Sequence, residues 1–270
     1  MSLPTVDLGA LSTALDDCVS LSLGAIDEGV LQTLRDEDFD QAPVRDDSGR
    51  YIGVIARSAA ESLVEERRDL AITDVRIFRS VLPMVAPLYD VLGALSESLG
   101  ALVGHDKPEG LVTVSDLNRH EFRAVIYTVL ADLEVVLAQL IDVSFGDHWD
   151  WIGELPKNRQ AQIIGAWDVA KRRGIDIGPQ AGATLNDLLG ATRRSPRLRE
   201  QIIQDADNLT KRFDGLRDLR NRVMHPVQAV AGSPEEVASA RAVIEDARNL
   251  IRLSEVALSR GGYRRRLRWH

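Results

Sequence analysis

The feature that most restricts the fold of this chain is an internal repeat within its first 118 residues. Residues 51–56 and 111–114 are short, apolar, β-branched runs bounded by turn residues, a pattern typical of buried strands. Gly53 and Gly110 lie 57 residues apart in these runs. A period of this length predicts that one supersecondary unit occurs twice, so we expect an α/β fold here. Each copy has an apolar run and a helical pattern before its strand: 42–44 with Val30, Leu31 and Leu34, and 101–103 with Leu88, Val91, Leu92 and Leu95.

The second copy resembles a CBS domain through residues 87–92 (PLYDVL) and 110–117 (GLVTVSDL). The two copies together resemble a tandem CBS pair, whose members usually bind adenine nucleotides in the cleft between the repeats. The resemblance implies that Thr113 contacts phosphate or ribose and that Asp116 holds the ribose hydroxyls. It also implies a regulatory ligand, namely AMP, ATP or S-adenosylmethionine.

The first copy departs from this pattern. Ala56 and Ala59 occupy the positions equivalent to Thr113 and Asp116, and they offer neither a hydroxyl nor a carboxylate. We therefore expect at most one nucleotide site per chain. The residues also allow a structural role, in which Asp116 only caps a helix that begins near Leu117, as aspartate commonly does.

From about residue 119 onward the strand signals disappear and apolar residues recur at helical spacing. The sequence therefore predicts an α+β chain, with an α/β pair in residues 1–118 and an all-α bundle in residues 119–270. Residues 147–151 predict a break between helices. The predicted helical segments are 119–145, 156–173, 185–189, 195–225, and a last one that begins at Ser233-Pro234 and extends to about 258.

The candidate catalytic residues lie at the end of the fourth segment. Arg220, Asn221 and His225 place a guanidinium, an amide and an imidazole within one run that Pro226 follows. We expect His225 at the helix C-terminus, because residues before proline are biased away from helix. An apolar stripe should face the core, and Arg217, Asn221 and His225 should form a row beside it. The stripe consists of Leu209, Phe213, Leu216, Leu219, Val223 and Val227.

This Arg-Asn-x3-His run in a helical domain resembles the signature of HEPN domains, many of which are metal-independent ribonucleases. The resemblance implies that Arg220 stabilises charge on the phosphate, that His225 acts in proton transfer and that Asn221 positions His225. It also implies a composite site across a homodimer, with no metal and no catalytic cofactor. The alternative is structural: His225 caps its helix and Arg220 pairs with Asp214 or Asp218.

Charge and composition indicate which half of the chain suits RNA and which cell compartment the chain suits. Residues 1–118 carry 9 basic against 21 acidic side chains, whereas residues 119–270 carry 24 against 20, so the second half suits RNA better. The tail 261–270 is basic with interleaved aromatics, a composition that suits single-stranded RNA; the alternative is a solvated tail. The single cysteine, Cys18, fits a reducing cytoplasm. We expect neither a signal peptide nor a membrane span, because no stretch approaches about 20 apolar residues.

The leading hypothesis is a nucleotide-regulated, metal-independent endoribonuclease of the toxin or defence type. It would act as a homodimer in the bacterial cytoplasm, with RNA as its substrate. An antitoxin is a further possible partner. The alternative is a non-catalytic adenine-nucleotide sensor or scaffold, in which the helical domain mediates dimerisation or RNA binding.

Overall fold

The computed structural model describes residues 4–145, 148–202 and 209–260, which form two compact units. The first unit comprises residues 4–125 and Pro226–Arg241, and the second comprises the described residues of 126–225 and 242–260. The strands are β1 (Thr5–Asp7), β2 (Thr13–Ala14), β3 (Leu21–Ser22), β4 (Gln41–Arg45), β5 (Tyr51–Ala56), β6 (Arg76–Ile77), β7 (Val81–Leu82), β8 (Val85–Pro87), β9 (Gly100–Gly104) and β10 (Pro108–Thr113). The helices are α1 (Leu8–Leu11), α2 (Glu28–Asp36), α3 (Arg57–Glu65), α4 (Leu88–Glu97), α5 (His120–Ser144), α6 (His148–Gly153), α7 (Lys157–Arg172), α8 (Leu185–Arg194), α9 (Pro196–Ile202), α10 (Leu209–Met224) and α11 (Pro234–Arg260).

The first unit contains two four-stranded sheets of the same topology, as the internal repeat predicts. One sheet has the order β3-β4-β5-β6 and the other has the order β7-β9-β10-β2. In each sheet the first pair is parallel and the next two pairs are antiparallel. The strand that precedes each copy along the chain therefore completes the sheet of the other copy. A two-residue strand thus ties each half of the unit to its counterpart.

The two glycines of the repeat lie where β5 and β10 pair with the exchanged strands. Gly53 pairs with Ile77 of β6, and Gly110 pairs with Ala14 of β2. A Cβ atom added to Gly53 would lie 2.4 Å from the carbonyl oxygen of Arg76, and one added to Gly110 would lie 2.5 Å from the Ser12 hydroxyl oxygen. Both contacts are closer than carbon and oxygen tolerate. At Gly53 the obstacle is backbone of the exchanged strand, which requires glycine, whereas at Gly110 it is a side chain that precedes β2.

The predicted helical faces form the core of the first unit. Leu31 and Leu34 of α2 are buried against β4, β5 and α3. In the second copy the four apolar positions predicted for α4 are also buried: Leu88, Val91, Leu92 and Leu95. These contacts confirm the amphipathic pattern, because each helix lays one apolar side on its sheet.

In the described part of the second unit, all regular elements are helices. The predictions for α5 and α7 agree with the structure, and α11 begins at Pro234 as predicted. The predicted break at 147–151 is wrong for its described residues. Trp151 and Ile152 belong to α6, and both are buried. The packing of these two side chains stabilises a helix of about one and a half turns, which is too short to show a helical period in the sequence. The segment predicted as 185–189 continues to Arg194.

Helix α5 is long and apolar enough to cross a membrane, by length and composition alone, which the sequence pattern had not led us to expect. In the second unit its leucines instead face the core, where Leu130, Leu133, Leu137 and Leu140 are buried. A core helix of a soluble protein has the same composition.

Candidate functional site

A cleft of about 230 Å³ lies in the first unit and brings segments of both repeats together. Thr113 and Asp116, the two residues predicted to hold a nucleotide, both line it. The remaining lining comes from β2, from residues near Cys18, from the turn into β4 with the start of that strand, and from β10 with the turn after it: Thr13, Asp17, Cys18, Val19, Asp38, Phe39, Asp40, Gln41, Pro43, Leu111 and Ser115. Ala56 and Ala59, which occupy the equivalent positions in the first copy, do not line this cleft; the polar residues that the first copy contributes are Asp38, Asp40 and Gln41.

Thr113 and Asp116 are bonded to one another at the edge of the cleft. Thr113 ends β10, and a short 3-10 helix follows it at residues Val114–Asn118. The Asp116 Oδ2 atom accepts hydrogen bonds from the Thr113 backbone N–H (2.8 Å) and from the Thr113 hydroxyl (2.9 Å). Asp116 therefore closes the turn that contains it, rather than capping a helix that begins near Leu117.

The Asp116 carboxyl is largely shielded from solvent. Burial raises its pKa above the ordinary value, although the bonds from Thr113 and the nearby Arg119 guanidinium oppose this rise. Arg119 Nη1 lies 3.5 Å from Oδ1 and also donates to the Leu11 carbonyl oxygen at 2.7 Å. Among the described residues, Arg119 is the only partner recorded for Oδ1, so this oxygen keeps accepting capacity on the cleft side.

Cys18 also lines the cleft, but it is poorly suited to nucleophilic chemistry. Burial and the neighbouring Asp17 raise the pKa of its thiol to about 11. The thiolate is the reactive form of cysteine, so the thiol stays protonated and inert at neutral pH. Cys18 is therefore not a candidate nucleophile for covalent catalysis in this cleft.

The candidate catalytic run lies at the end of α10 in the second unit. The buried residues of the helix include Phe213, Leu216, Leu219 and Val223, as the stripe predicts. Val227 was expected on this stripe, and that expectation is wrong, because α10 ends at Met224 and Val227 is 96% exposed. His225 follows the helix directly: its backbone N–H donates to the Asn221 carbonyl oxygen at 3.0 Å, and its side chain is exposed.

Arg220 does not pair with Asp214 or Asp218, since Arg217 takes both of these carboxylates at 3.1 and 3.2 Å. Arg220 instead lies against Glu134 of α5, with Nε 4.0 Å from Oε1. Burial raises the pKa of the Glu134 carboxyl, and the Arg220 charge opposes that rise. The sequence had not singled out Glu134, because helical periodicity places no residue opposite another helix.

A second cavity, of about 430 Å³, has Glu134 on its wall. It lies between α5, residues 176–183 and α8, within the second unit. Its polar lining includes Asp142, which accepts a hydrogen bond from the Gln180 amide at 3.3 Å. Of the predicted catalytic residues, none lines this cavity, although Arg220 contacts it through Glu134.

The segment that follows His225 is anchored to the first unit by two side chains. The Asn118 side chain donates to the Ala231 carbonyl oxygen (2.9 Å) and accepts from the Val230 N–H (2.6 Å). Arg123 is 7% exposed and donates to the Gln228 carbonyl oxygen at 2.5 Å. Asn118 ends the 3-10 helix that contains Asp116, so one short element carries both the cleft carboxylate and this anchor.

No family model and no curated protein matches the chain. Similar solved structures include the CBS domain of a bacterial CNNM/CorC family Mg2+ transporter in complex with ATP, at 20% identity and a TM-score of 0.34, covering 42% of this chain and 84% of that one. CBSX2 in complex with AMP is 16% identical with a TM-score of 0.35, covering 46% and 98%. A hemolysin-like protein containing a CBS domain from Oenococcus oeni PSU is 16% identical with a TM-score of 0.38, covering 45% and 92%. The matched part is roughly the N-terminal 45% of this chain.

Proposed function

We propose that this chain senses an adenosine-containing ligand in the cleft of its first unit and thereby controls a metal-independent ribonuclease site in its helical unit. One observation carries the proposal: Thr113 and Asp116, predicted as ligand contacts, line one cleft together with segments of the other repeat. The repeated sheet topology, with its exchanged strands, agrees with the tandem CBS pair that the sequence resembles.

The chemistry of the cleft suits a nucleoside. Asp116 Oδ1 can accept hydrogen bonds from vicinal ribose hydroxyls, because its other oxygen alone receives the two bonds from Thr113. Phe39 is 42% exposed and supplies an aromatic surface on which an adenine ring can stack. A cleft of about 230 Å³ has room for one such ligand but not for several.

In this proposal, Asn118 couples ligand binding in the cleft to the backbone that follows His225. Ligand contact with Asp116 acts on the short helix Val114–Asn118, whose last residue holds Val230 and Ala231. The anchored segment begins at Pro226, directly after His225. A shift of this short helix therefore displaces the backbone next to the histidine. For regulation to follow, the ligand must bind two states of the chain with different affinity.

At the ribonuclease site the 2′-hydroxyl of RNA would attack the adjacent phosphorus and the 5′-oxygen would leave, producing a cyclic phosphate end. His225 would take up or deliver a proton in this step, and its exposure leaves it accessible to RNA. Arg220 would stabilise the negative charge that develops on the phosphate oxygens. Asn221, one helical turn before His225, would orient the imidazole.

The second candidate function is a non-catalytic sensor or scaffold. One observation favours it: Arg220 Nε is buried, makes no hydrogen bond among the described residues, and faces Glu134 rather than solvent. In that arrangement the guanidinium braces α10 against α5. Ligand binding would then change assembly or RNA binding without any chemical step.

Cleavage of a mixed RNA pool in EDTA separates the two functions. The wild-type chain, His225→Ala and the control His105→Ala, which removes an exposed histidine from the first unit, are compared with and without AMP, ATP and S-adenosylmethionine. We expect cyclic phosphate ends from the wild type and the control, and none from His225→Ala. If no protein cuts under any condition while a ligand still binds, the sensor or scaffold is the correct function.

The setting forms part of the proposal. We expect a homodimer that completes the composite site, a bacterial cytoplasmic location, and an antitoxin as a further partner. Light scattering on the purified chain tests the dimer, and a monomer that nevertheless cuts RNA would contradict the composite site.

A further inference from the structure

We propose that the ligand of the first-unit cleft is an adenosine derivative that is neutral or cationic beyond its ribose, such as an adenosyl sulfonium, rather than a nucleotide that carries phosphates. This inference rests on the proposed sensor function and concerns the choice among its ligands.

The two Thr113 donors that were expected to contact a phosphate are already engaged. The Thr113 backbone N–H and the Thr113 hydroxyl both donate to Asp116 Oδ2, at 2.8 and 2.9 Å. To bind phosphate, Thr113 would have to release a shielded carboxylate whose other donor among the described residues is Arg119 Nη1, at 3.5 Å from Oδ1. A buried carboxylate left without its hydrogen bonds is unfavourable, so Thr113 is a weak phosphate contact.

Acceptors, by contrast, are in excess. Four carboxylates line the cleft, from Asp17, Asp38, Asp40 and Asp116. The buried Oε1 atom of Gln41, also on the wall, accepts no hydrogen bond from any described residue. Ribose hydroxyls and the adenine amino group are donors and match this surplus, whereas phosphate oxygens only accept.

The charge of the cleft leads to the same choice. No lysine or arginine is among its lining residues. Two arginines stand at the rim, and each already faces carboxylates: Arg57 lies 3.6 Å from Asp38 and 3.7 Å from Asp40, and Arg119 lies 3.5 Å from Asp116.

A third guanidinium, from Arg45, stacks 4.5 Å from the centre of the Tyr51 ring and donates to the Tyr51 hydroxyl, and it does not line the cleft. The Arg45 charge nevertheless acts on Cys18 in the cleft wall, where it lowers the pKa of the thiol. Four carboxylates against three guanidinium groups still leave an excess of one negative charge. This excess repels phosphates and attracts a cation.

Calorimetry on the full chain tests the inference directly. Adenosine, S-adenosylmethionine, AMP and ATP are titrated in EDTA at low and high salt. We expect S-adenosylmethionine to bind most tightly, adenosine next, then AMP and ATP, and we expect salt to weaken only the cationic ligand markedly, because ions screen attraction between exposed charges.

A charge-matched pair of variants sharpens the test. Asp17→Asn removes a cleft carboxylate that has no ion pair among the described residues, and Asp16→Asn removes the neighbouring exposed carboxylate outside the cleft. We expect Asp17→Asn to weaken S-adenosylmethionine about threefold and to strengthen AMP by a similar factor, as one charge at about 6 Å in water implies. Asp16→Asn should change both affinities less.

The outcomes separate this inference from the function beneath it. If AMP or ATP binds more tightly than adenosine, the inference is wrong and the sensor function stands. An unchanged affinity of Asp17→Asn for S-adenosylmethionine also overturns it. If none of the four ligands binds, the sensor function fails together with the inference.

Discussion

Replacement of Gly53 by alanine tests the exchanged-strand architecture. The new Cβ would lie 2.4 Å from the Arg76 carbonyl oxygen and 2.6 Å from a Val75 methyl carbon. Ordinary van der Waals contact begins near 3.4 Å, so β6 must retreat by about 1 Å. Because β6 pairs with β5 through only two residue pairs, such a shift breaks most of that pairing.

The net cost follows from two opposing effects. Overpacking of a filled site costs about 1–3 kcal/mol, with the upper end expected against rigid backbone. Lower entropy of the unfolded chain returns about 0.4–1 kcal/mol. We therefore expect Gly53→Ala to destabilise the first unit by about 2 kcal/mol. Gly110→Ala should cost about 1 kcal/mol, because the Ser12 hydroxyl oxygen can rotate away and only the Ser12 Cβ, at 2.9 Å, must then shift.

Hydrogen exchange measured by mass spectrometry on residues 51–56 reports the stability of β5 directly. Tryptophan fluorescence serves as an internal control, since all four tryptophans lie after residue 148. A second control is Gly165→Ala in α7, where no neighbour approaches within 4 Å and alanine should stabilise the helix by about 0.5–1 kcal/mol. Unchanged protection of β5 in Gly53→Ala would refute the argument that the exchanged strand requires glycine.

Four further predictions concern two buried carboxylates, the partner of one of them, and the Asn118 anchor. Arg159→Met should destabilise the second unit by about 3 kcal/mol in urea unfolding, because Asp187 is 3% exposed and would lose hydrogen bonds of 3.0 and 2.5 Å from the guanidinium. A double variant that also carries Asp187→Asn should recover much of this loss. Additive effects of the two substitutions would contradict the prediction. Burial raises the pKa of Asp187, but hydrogen bonds from Arg159 and from Thr184 lower it overall. The ionised carboxylate therefore adds to the free energy of unfolding above its ordinary pKa, and this stabilisation is lost as pH falls below 3.8. The stability of Asp187→Asn should accordingly depend less steeply on pH in that range. The effect of pH on stability has the opposite sign at Asp116, because its raised pKa means that the folded form binds the proton more tightly than the unfolded form. The stabilisation from the protonated carboxyl is therefore lost as pH rises. Asp116→Asn should reduce this dependence of the free energy of unfolding on pH, and an unchanged dependence would contradict the reasoning. Asn118→Ala should leave ligand affinity near wild type while RNA cleavage no longer responds to the ligand, and a response that persists would exclude the anchor as the coupling path.

Local sequence patterns predicted most elements of the chain because their signals are short in range. A continuous β-branched run identified β5, and helical spacing of apolar residues identified α4, α5 and α7. The predicted apolar positions of α4 are buried, as are nearly all of those of α5, whereas in α7 Ile163 is buried and Val169 is exposed. The pattern was wrong at α6, which is too short to show a period, and at Val227, which lies beyond the helix end set by Pro226. The basic tail 261–270 lies outside the described residues, so its predicted role in RNA binding stays a prediction.

The sequence by itself determined that one α/β unit occurs twice, that a helical half follows, and that Thr113 and Asp116 belong together, because a turn of four residues brings them into contact wherever the rest of the chain lies. Only the tertiary structure decided which strand crosses each repeat glycine, which carboxylates surround Asp116 in the cleft, and that Arg220 faces Glu134. These pairs are separated by up to 99 residues along the chain. Contacts of that kind arise from the packing of whole elements, and no local pattern of apolar and polar residues records them.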